Sequence, residues 1–250
     1  MADYAYMDIT RFTANPDGFY ATNNPFQKSG PKGFIEVKVL ENDKLYIRVD
    51  LPGVPDDAVR HRVDAVRQKV VFFSGKTLDD GRNKGSVREY SGSAGLSCDC
   101  CEITGVDAKM KDGVLRMIVS RVKVKDHDKK CPLTFPPFTG KSGRRQEDHP
   151  FLVKGPQGAS FAGGVTPDGG TYFALDVPGA STADLQWVAI ENGLRFIAQK
   201  KKVCEHDKSA RLYLGSFGTL DSSTAISLNS ITATVNFGVL KIVNGPLRNQ

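Results

Sequence analysis

Leu45-Tyr46-Ile47-Arg48-Val49-Asp50 runs straight into Leu51-Pro52-Gly53-Val54, and further on Tyr172-Phe173-Ala174-Leu175-Asp176 runs into Val177-Pro178-Gly179-Ala180. In the first stretch aliphatic and polar positions alternate until a Pro-Gly turn stops them, which is the pattern of a half-buried strand. The likeness extends outward from both turns. Residues 69–74 are echoed by 193–198, and residues 106–117 by 231–242, with Gly113-Val114-Leu115 answering Gly238-Val239-Leu240. Pro52 and Pro178 lie 126 positions apart, and Gly113 and Gly238 lie 125 apart. Blocks recurring in one order at nearly one offset mark a tandem repeat of one small unit.

Within each repeat the pattern stays strand-like. Ile35-Glu36-Val37-Lys38-Val39 alternates with period two, and residues 121–125 close the first repeat in the same way. Turn signals such as Glu41-Asn42-Asp43 and Lys111-Asp112-Gly113 separate the runs. No segment holds a helical period for three turns, and residues 55–60 offer one turn at most. The expected fold class is all-β: two tandem antiparallel β-sandwiches. Residues 33–125 form the first domain and 151–250 a second, more divergent one. Residues 126–150, with Pro132, Pro136, Pro137 and Pro150 among mixed charges, read as a linker. Residues 1–32 read as a flexible arm whose aromatics (Tyr4, Tyr6, Phe12, Phe19, Tyr20, Phe26) dock on this chain or on a partner.

The chain has 34 Lys plus Arg against 28 Asp plus Glu, a surplus of six spread over 250 residues without a basic run. That serves solubility, and no nucleic-acid partner is expected. The longest unbroken apolar run, Val70-Val71-Phe72-Phe73, is far too short to span a bilayer, so no transmembrane segment is expected. The acidic N-terminus lacks the basic, apolar start of a signal peptide. Five cysteines do not form a disulfide framework, which places the chain in a reducing compartment, cytoplasm or nucleus.

Motifs for chemistry are imitated but not completed. Ser74-Gly75-Lys76-Thr77 ends like a phosphate-binding loop, but Val70 stands where the leading glycine is needed. Gly140-Lys141-Ser142 fails in the same way at Phe135. Cys98-Asp99-Cys100-Cys101 contains one C-x-x-C pair without a second, too few ligands for a zinc site. His61, His127, His149 and His206 stand singly, and Gly158-Ala159-Ser160-Phe161-Ala162 misses the last glycine of a nucleophile elbow. No catalytic residue, cofactor or metal is expected, and the chain reads as a binding protein rather than an enzyme.

Taken in order, Asp50-Leu51-Pro52-Gly53, Asp57-Ala58-Val59, Phe73-Ser74-Gly75, Arg88-Glu89-Tyr90 and Ala108-Lys109-Met110-Lys111-Asp112-Gly113-Val114-Leu115 resemble the small heat shock proteins, the α-crystallin or Hsp20 domain family in its plant form. The second repeat keeps Asp176-Val177-Pro178-Gly179, Asp184-Leu185, Arg211-Leu212-Tyr213 and Gly238-Val239-Leu240. The resemblance implies immunoglobulin-like sandwiches and an ATP-independent holdase for unfolding proteins, or a degenerate scaffold for one dedicated partner. It implies an apolar groove at the sandwich edge, bordered by Val70, Phe72, Leu115, Met117 and Val119 in the first repeat and by Leu194, Phe196, Leu240 and Ile242 in the second. The same residues equally suit a sandwich core, since one side of each strand faces inward. The chain stops shortly after its last strand without an Ile-x-Ile/Val tail, which implies a small species: the two domains pair within one chain, or the chain is a homodimer. Residues 78–87 are long enough for the strand that plant members exchange between subunits, whereas residues 203–210 are shorter, so exchange is expected in one direction.

Overall fold

The computed structural model describes residues 6–8, 27–29, 35–66, 68–78, 87–96, 100–125, 152–154, 161–166, 168–190, 193–207, 210–218 and 230–245. The stretch read as a linker lies outside them. Two short strands come first, β1 (Tyr6–Asp8) and β2 (Gln27–Ser29). The first repeat then builds β3 (Ile35–Val39), β4 (Leu45–Asp50), β5 (Arg60–Val63), β6 (Val70–Lys76), β7 (Glu89–Gly95), β8 (Cys101–Lys111) and β9 (Val114–Lys123). After β10 (Leu152–Lys154), the second repeat builds β11 (Phe161–Val165), β12 (Thr171–Asp176), β13 (Leu185–Ile190), β14 (Gly193–Lys200), β15 (Arg211–Gly218), β16 (Ile231–Asn236) and β17 (Val239–Asn244).

The repeats fold alike. The first makes one sheet in the order β3-β4-β9-β8 and another in the order β7-β6-β5; the second makes β11-β12-β17-β16 and β13-β14-β15. Each pair of sheets closes on its own apolar cluster. Leu45, Ile47 and Val49 of β4 and Leu115, Met117 and Val119 of β9 meet Val71 and Phe73 of β6 and Tyr90 and Ala94 of β7. In the second repeat Leu175, Leu240 and Ile242 meet Leu194, Phe196 and Tyr213. Burying each large apolar side chain contributes roughly 1.5–3 kcal/mol. The fold is all-β, as the alternation predicts, and no described helix is long and apolar enough to cross a membrane.

The short strands cover edges. β10 pairs antiparallel with β7 at Glu89–Ser91, and β1 pairs parallel with the same edge at residues 93–95. β2 pairs with β15, the equivalent strand of the second repeat. Backbone groups that a free edge would leave to solvent or to another chain are thus satisfied within this one. Parts of the stretch read as a flexible arm are therefore strands.

β4 departs from the expectation of one wet face, because all six of its residues are buried. Leu45, Ile47 and Val49 face the core, and Tyr46, Arg48 and Asp50 are covered by Asp207 and Arg211 of the second repeat.

Candidate functional site

The Pro-Gly turns that mark the repeat are also where the repeats meet. The Gly53 N–H donates to the Phe237 carbonyl at 2.8 Å, and the Gly179 N–H donates to the Asp112 carbonyl at 2.7 Å. Asp112-Gly113 and Phe237-Gly238 are the two-residue hairpin turns β8-β9 and β16-β17, and all four residues have positive φ, as such turns favour. Asp and Gly suit that conformation, whereas Phe237 at φ 50° is a bulky side chain in the left-handed region. Its carbonyl is the one that accepts the Gly53 bond, so the conformation is fixed from across the seam.

Ion pairs repeat the exchange. Arg88 of the first repeat donates two hydrogen bonds to Asp176 of the second, at 2.7 and 2.9 Å, and Arg211 of the second donates to Asp50 of the first at 2.7 Å. Arg88 answers Arg211 in the repeat and Asp50 answers Asp176, so the seam is self-complementary, as a two-fold subunit interface is. Tyr90 and Tyr213, two residues beyond each arginine, donate to the carbonyls of Pro52 and Pro178 and hold the turns in place. Burial pushes both phenols up, which keeps them protonated donors. Burial opposes the Arg88 charge, but Asp176 outweighs it and keeps the guanidinium protonated; Asp176 itself is pushed up by burial, which Arg88 offsets in part.

The turn at residues 204–207 adds a further contact. Asp207, 3% exposed, accepts from the Tyr46 hydroxyl and from Nε and Nη2 of Arg116 at 3.1 and 2.9 Å, with Arg48 at 3.8 Å. Lys38 Nζ reaches the His206 carbonyl at 2.6 Å. Thus the shorter of the two equivalent loops is docked on the other repeat, as a turn and not as an exchanged strand. The central residues of the longer loop, 79–86, lie outside the described residues.

Burial would raise the Asp207 carboxyl, but the Arg116 hydrogen bonds, the Arg48 charge and the Tyr46 hydroxyl hold it below the usual carboxylate range. A carboxyl lowered by folding stabilises the fold above its unfolded value, about 3.9, and ceases to as pH falls through its folded value. Wild type should therefore lose more stability than Asp207→Asn as pH falls from about 5 to about 3, by about 1 kcal/mol. Urea unfolding of both across that range is the check; parallel curves mean that Asp207 does not hold the seam.

The sequence that builds these repeats matches a known family of proteins. A family model described as "Predicted plant small heat shock protein" matches residues 6–247. The chain belongs to this family. It is also 41% identical over 109 residues, 43% of this chain, to an Arabidopsis thaliana protein named "Putative 57 kDa heat shock protein", of which that match covers 20%. It is 31% identical over 81 residues to the mitochondrial heat shock 22 kDa protein of Glycine max, covering 32% of this chain and 37% of that one. It is 32% identical over 105 residues to the 14.7 kDa heat shock protein of Arabidopsis thaliana, covering 41% and 76%. The match thus spans about a fifth of the first relative's length and over a third of the second's.

In this small heat shock protein the groove residues named from the sequence lie on β6, β9, β14 and β17, each paired with a strand on both sides. Leu115, Met117, Val119, Leu194, Phe196, Leu240 and Ile242 are buried in the two cores, and Val70 and Phe72 are half-buried. None of the nine stands on an edge strand, so none offers free backbone to an added strand. The edges unpaired among the described residues belong to β3, β5, β8, β11, β13 and β16 and to the short strands β1, β2 and β10.

Two of these edges are equivalent and differ in chemistry. β5 carries Arg60-His61-Arg62, all exposed, and β13 carries Gln186-Trp187-Val188 at the matching positions. Trp187 is 37% exposed and Val188 59%. Trp187 pairs with buried Phe196, on the inner side of the sheet at the sandwich mouth, and Val188 pairs with Arg195 on the outer side. A charged edge repels an added strand, and an apolar edge accepts one.

The remaining motifs resolve as strands or single groups. Ser74-Gly75-Lys76 is the end of β6, and Lys76 pairs with Glu89 at 3.2 Å. Among the described residues no three His, Cys, Asp or Glu side chains are placed to hold a metal. Cys101 and Cys204 form no disulfide, while Cys100 is disulfide-bonded.

Proposed function

We propose that this protein is an ATP-independent holdase that takes up extended apolar segments of unfolding proteins along β13. The edge carries the reading: among the described residues β13 is paired on one side only, and it carries no charge and shows a tryptophan and a valine to solvent. An extended client segment gains backbone hydrogen bonds there and places alternate side chains against Trp187. Of the two equivalent edges, the charged β5 and the uncharged β13, the second repeat carries the one suited to an apolar strand. The seam supports a further part of the proposal, that one chain supplies the pairing which otherwise needs two subunits, so the protein works as a monomer. Nothing in this reading calls for a catalytic group or a cofactor.

Light scattering from two unrelated heat-labile clients, warmed with an equal molar amount of the protein, tests it, with the protein's mass fixed by sedimentation. Both clients should stay dispersed, and Val188→Lys, which puts a charge on the open edge, should remove most of the protection while thermal unfolding stays unchanged. If neither client is protected, the edge serves one dedicated partner and the protein is a scaffold.

A further inference from the structure

The outer face of the β7-β6-β5 sheet, turned away from the first core, forms a cavity of about 670 Å³. The register sets Arg60 opposite Ser74 and Arg62 opposite Phe72, and then Ser74 opposite Ser91 and Lys76 opposite Glu89. Side chains at paired positions share a face, so both arginines border this cavity together with Phe72, Ser74 and Ser91. Lys76 is matched by Glu89. Arg60 and Arg62 are exposed and, among the described residues, have no acidic partner. The Arg62 guanidinium lies over the Phe72 ring, 4.7 Å from its centroid, which restricts the fork before any ligand arrives.

We propose that this cavity binds an acidic extended peptide segment, with carboxylates two residues apart placed on Arg60 and Arg62. The spacing agrees, because same-face side chains recur about every 6.6 Å in any extended strand. The volume falls within the range of roughly 300–1,000 Å³ usual for ligand sites. The protein already uses this chemistry at its seam, where the Arg116 fork, with Arg48 alongside, holds Asp207 of the other repeat against a sheet. Guarding the edge against aggregation does not account for the cavity beside it. The equivalent outer-face positions of the second repeat, Gln186 and Val188, carry no charge. Nucleic acid fits poorly, because the aromatic ring of this face is already covered by Arg62 and leaves no free stacking platform. This site is separate from the β13 edge.

Fluorescence anisotropy of the whole protein with a labelled peptide of alternating glutamate and valine tests the proposal. The controls are a lysine–valine peptide and a single-stranded oligothymidylate. The acidic peptide should bind, more weakly as salt is added, and Arg60→Gln with Arg62→Gln should weaken it at least tenfold. Thermal unfolding should not move, because both side chains are exposed, and Val188→Lys should leave this binding intact. Unchanged binding by the double variant, equal binding of the lysine–valine peptide, or tighter binding of the oligothymidylate would overturn it.

Discussion

Replacing Arg211 with methionine should destabilise the protein by about 3–5 kcal/mol, a large share of a domain's stability. Arg211 is 4% exposed and donates through Nη1 to Asp50, to the Pro178 carbonyl and to the Tyr213 hydroxyl. Methionine fills much of the volume but leaves the Asp50 carboxylate buried with Arg48 as its nearest cation, at 3.6 Å and without a hydrogen bond. An uncompensated buried charge costs far more than the pair contributes. Replacing both, Arg211→Met with Asp50→Leu, should therefore recover at least half of the loss. Arg88→Met should cost less, roughly 1–3 kcal/mol, because the Arg88–Asp176 pair keeps some access to water. Urea unfolding of the four proteins separates the cases. Equal losses at Arg88 and Arg211 would show that burial does not set the cost.

Gly113→Ala should cost roughly 3 kcal/mol or more, from two sources. Gly113 has φ 75°, which an L side chain adopts reluctantly, and a Cβ built there meets the Phe237 carbonyl oxygen at 2.4 Å and the Pro52 Cα at 3.1 Å. Both contacts are backbone, so one repeat would have to move against the other. Gly238 stands in the mirrored position, with φ 70° and the Asp112 oxygen at 2.5 Å. Gly169→Ala is the control: its φ is 83°, but nothing lies within 4 Å of the added Cβ, so it should show the conformational cost alone, about 1 kcal/mol. Thermal and urea unfolding report the sizes, and small-angle scattering of Gly113→Ala should show the repeats moved apart. If Gly113 and Gly169 behave alike, the seam is not close-packed at these turns.

Much of the architecture is legible along the chain. The strands follow runs such as Leu45–Asp50, and the turns follow Pro52-Gly53 and Asp112-Gly113, because alternation and left-handed φ act within a few residues. The repeat is legible as well, and it makes Asp50 with Asp176 and Arg88 with Arg211 matched pairs, but which residue each one meets is not written in the repeat. The nine residues named for the groove stand on central strands for a physical reason. Residues 70–73, 114–119, 194–198 and 239–243 are the most apolar runs, and a strand is that apolar because it lies in the middle of a sheet. The open edges are more polar and attract no notice. Trp187 stands out in composition, as the one tryptophan of the chain, but its exposure depends on β13 having a neighbour on one side only among the described residues.

Asp207 gives no local sign of its place. Beside Glu205, His206 and Lys208 it reads as a solvated turn, yet it is among the most buried charges of the described chain. Tyr46, Arg48 and Asp50 alternate as a wet face would, and the second repeat covers all three. Strand, turn and repeat are set by neighbours in sequence, and so they can be read from the chain alone. Which face is covered, which edge stays open and which carboxylate is buried are set by partners 88 to 161 positions away, such as Asp176 for Arg88 and Asp50 for Arg211, and these settle only when the two repeats close on each other.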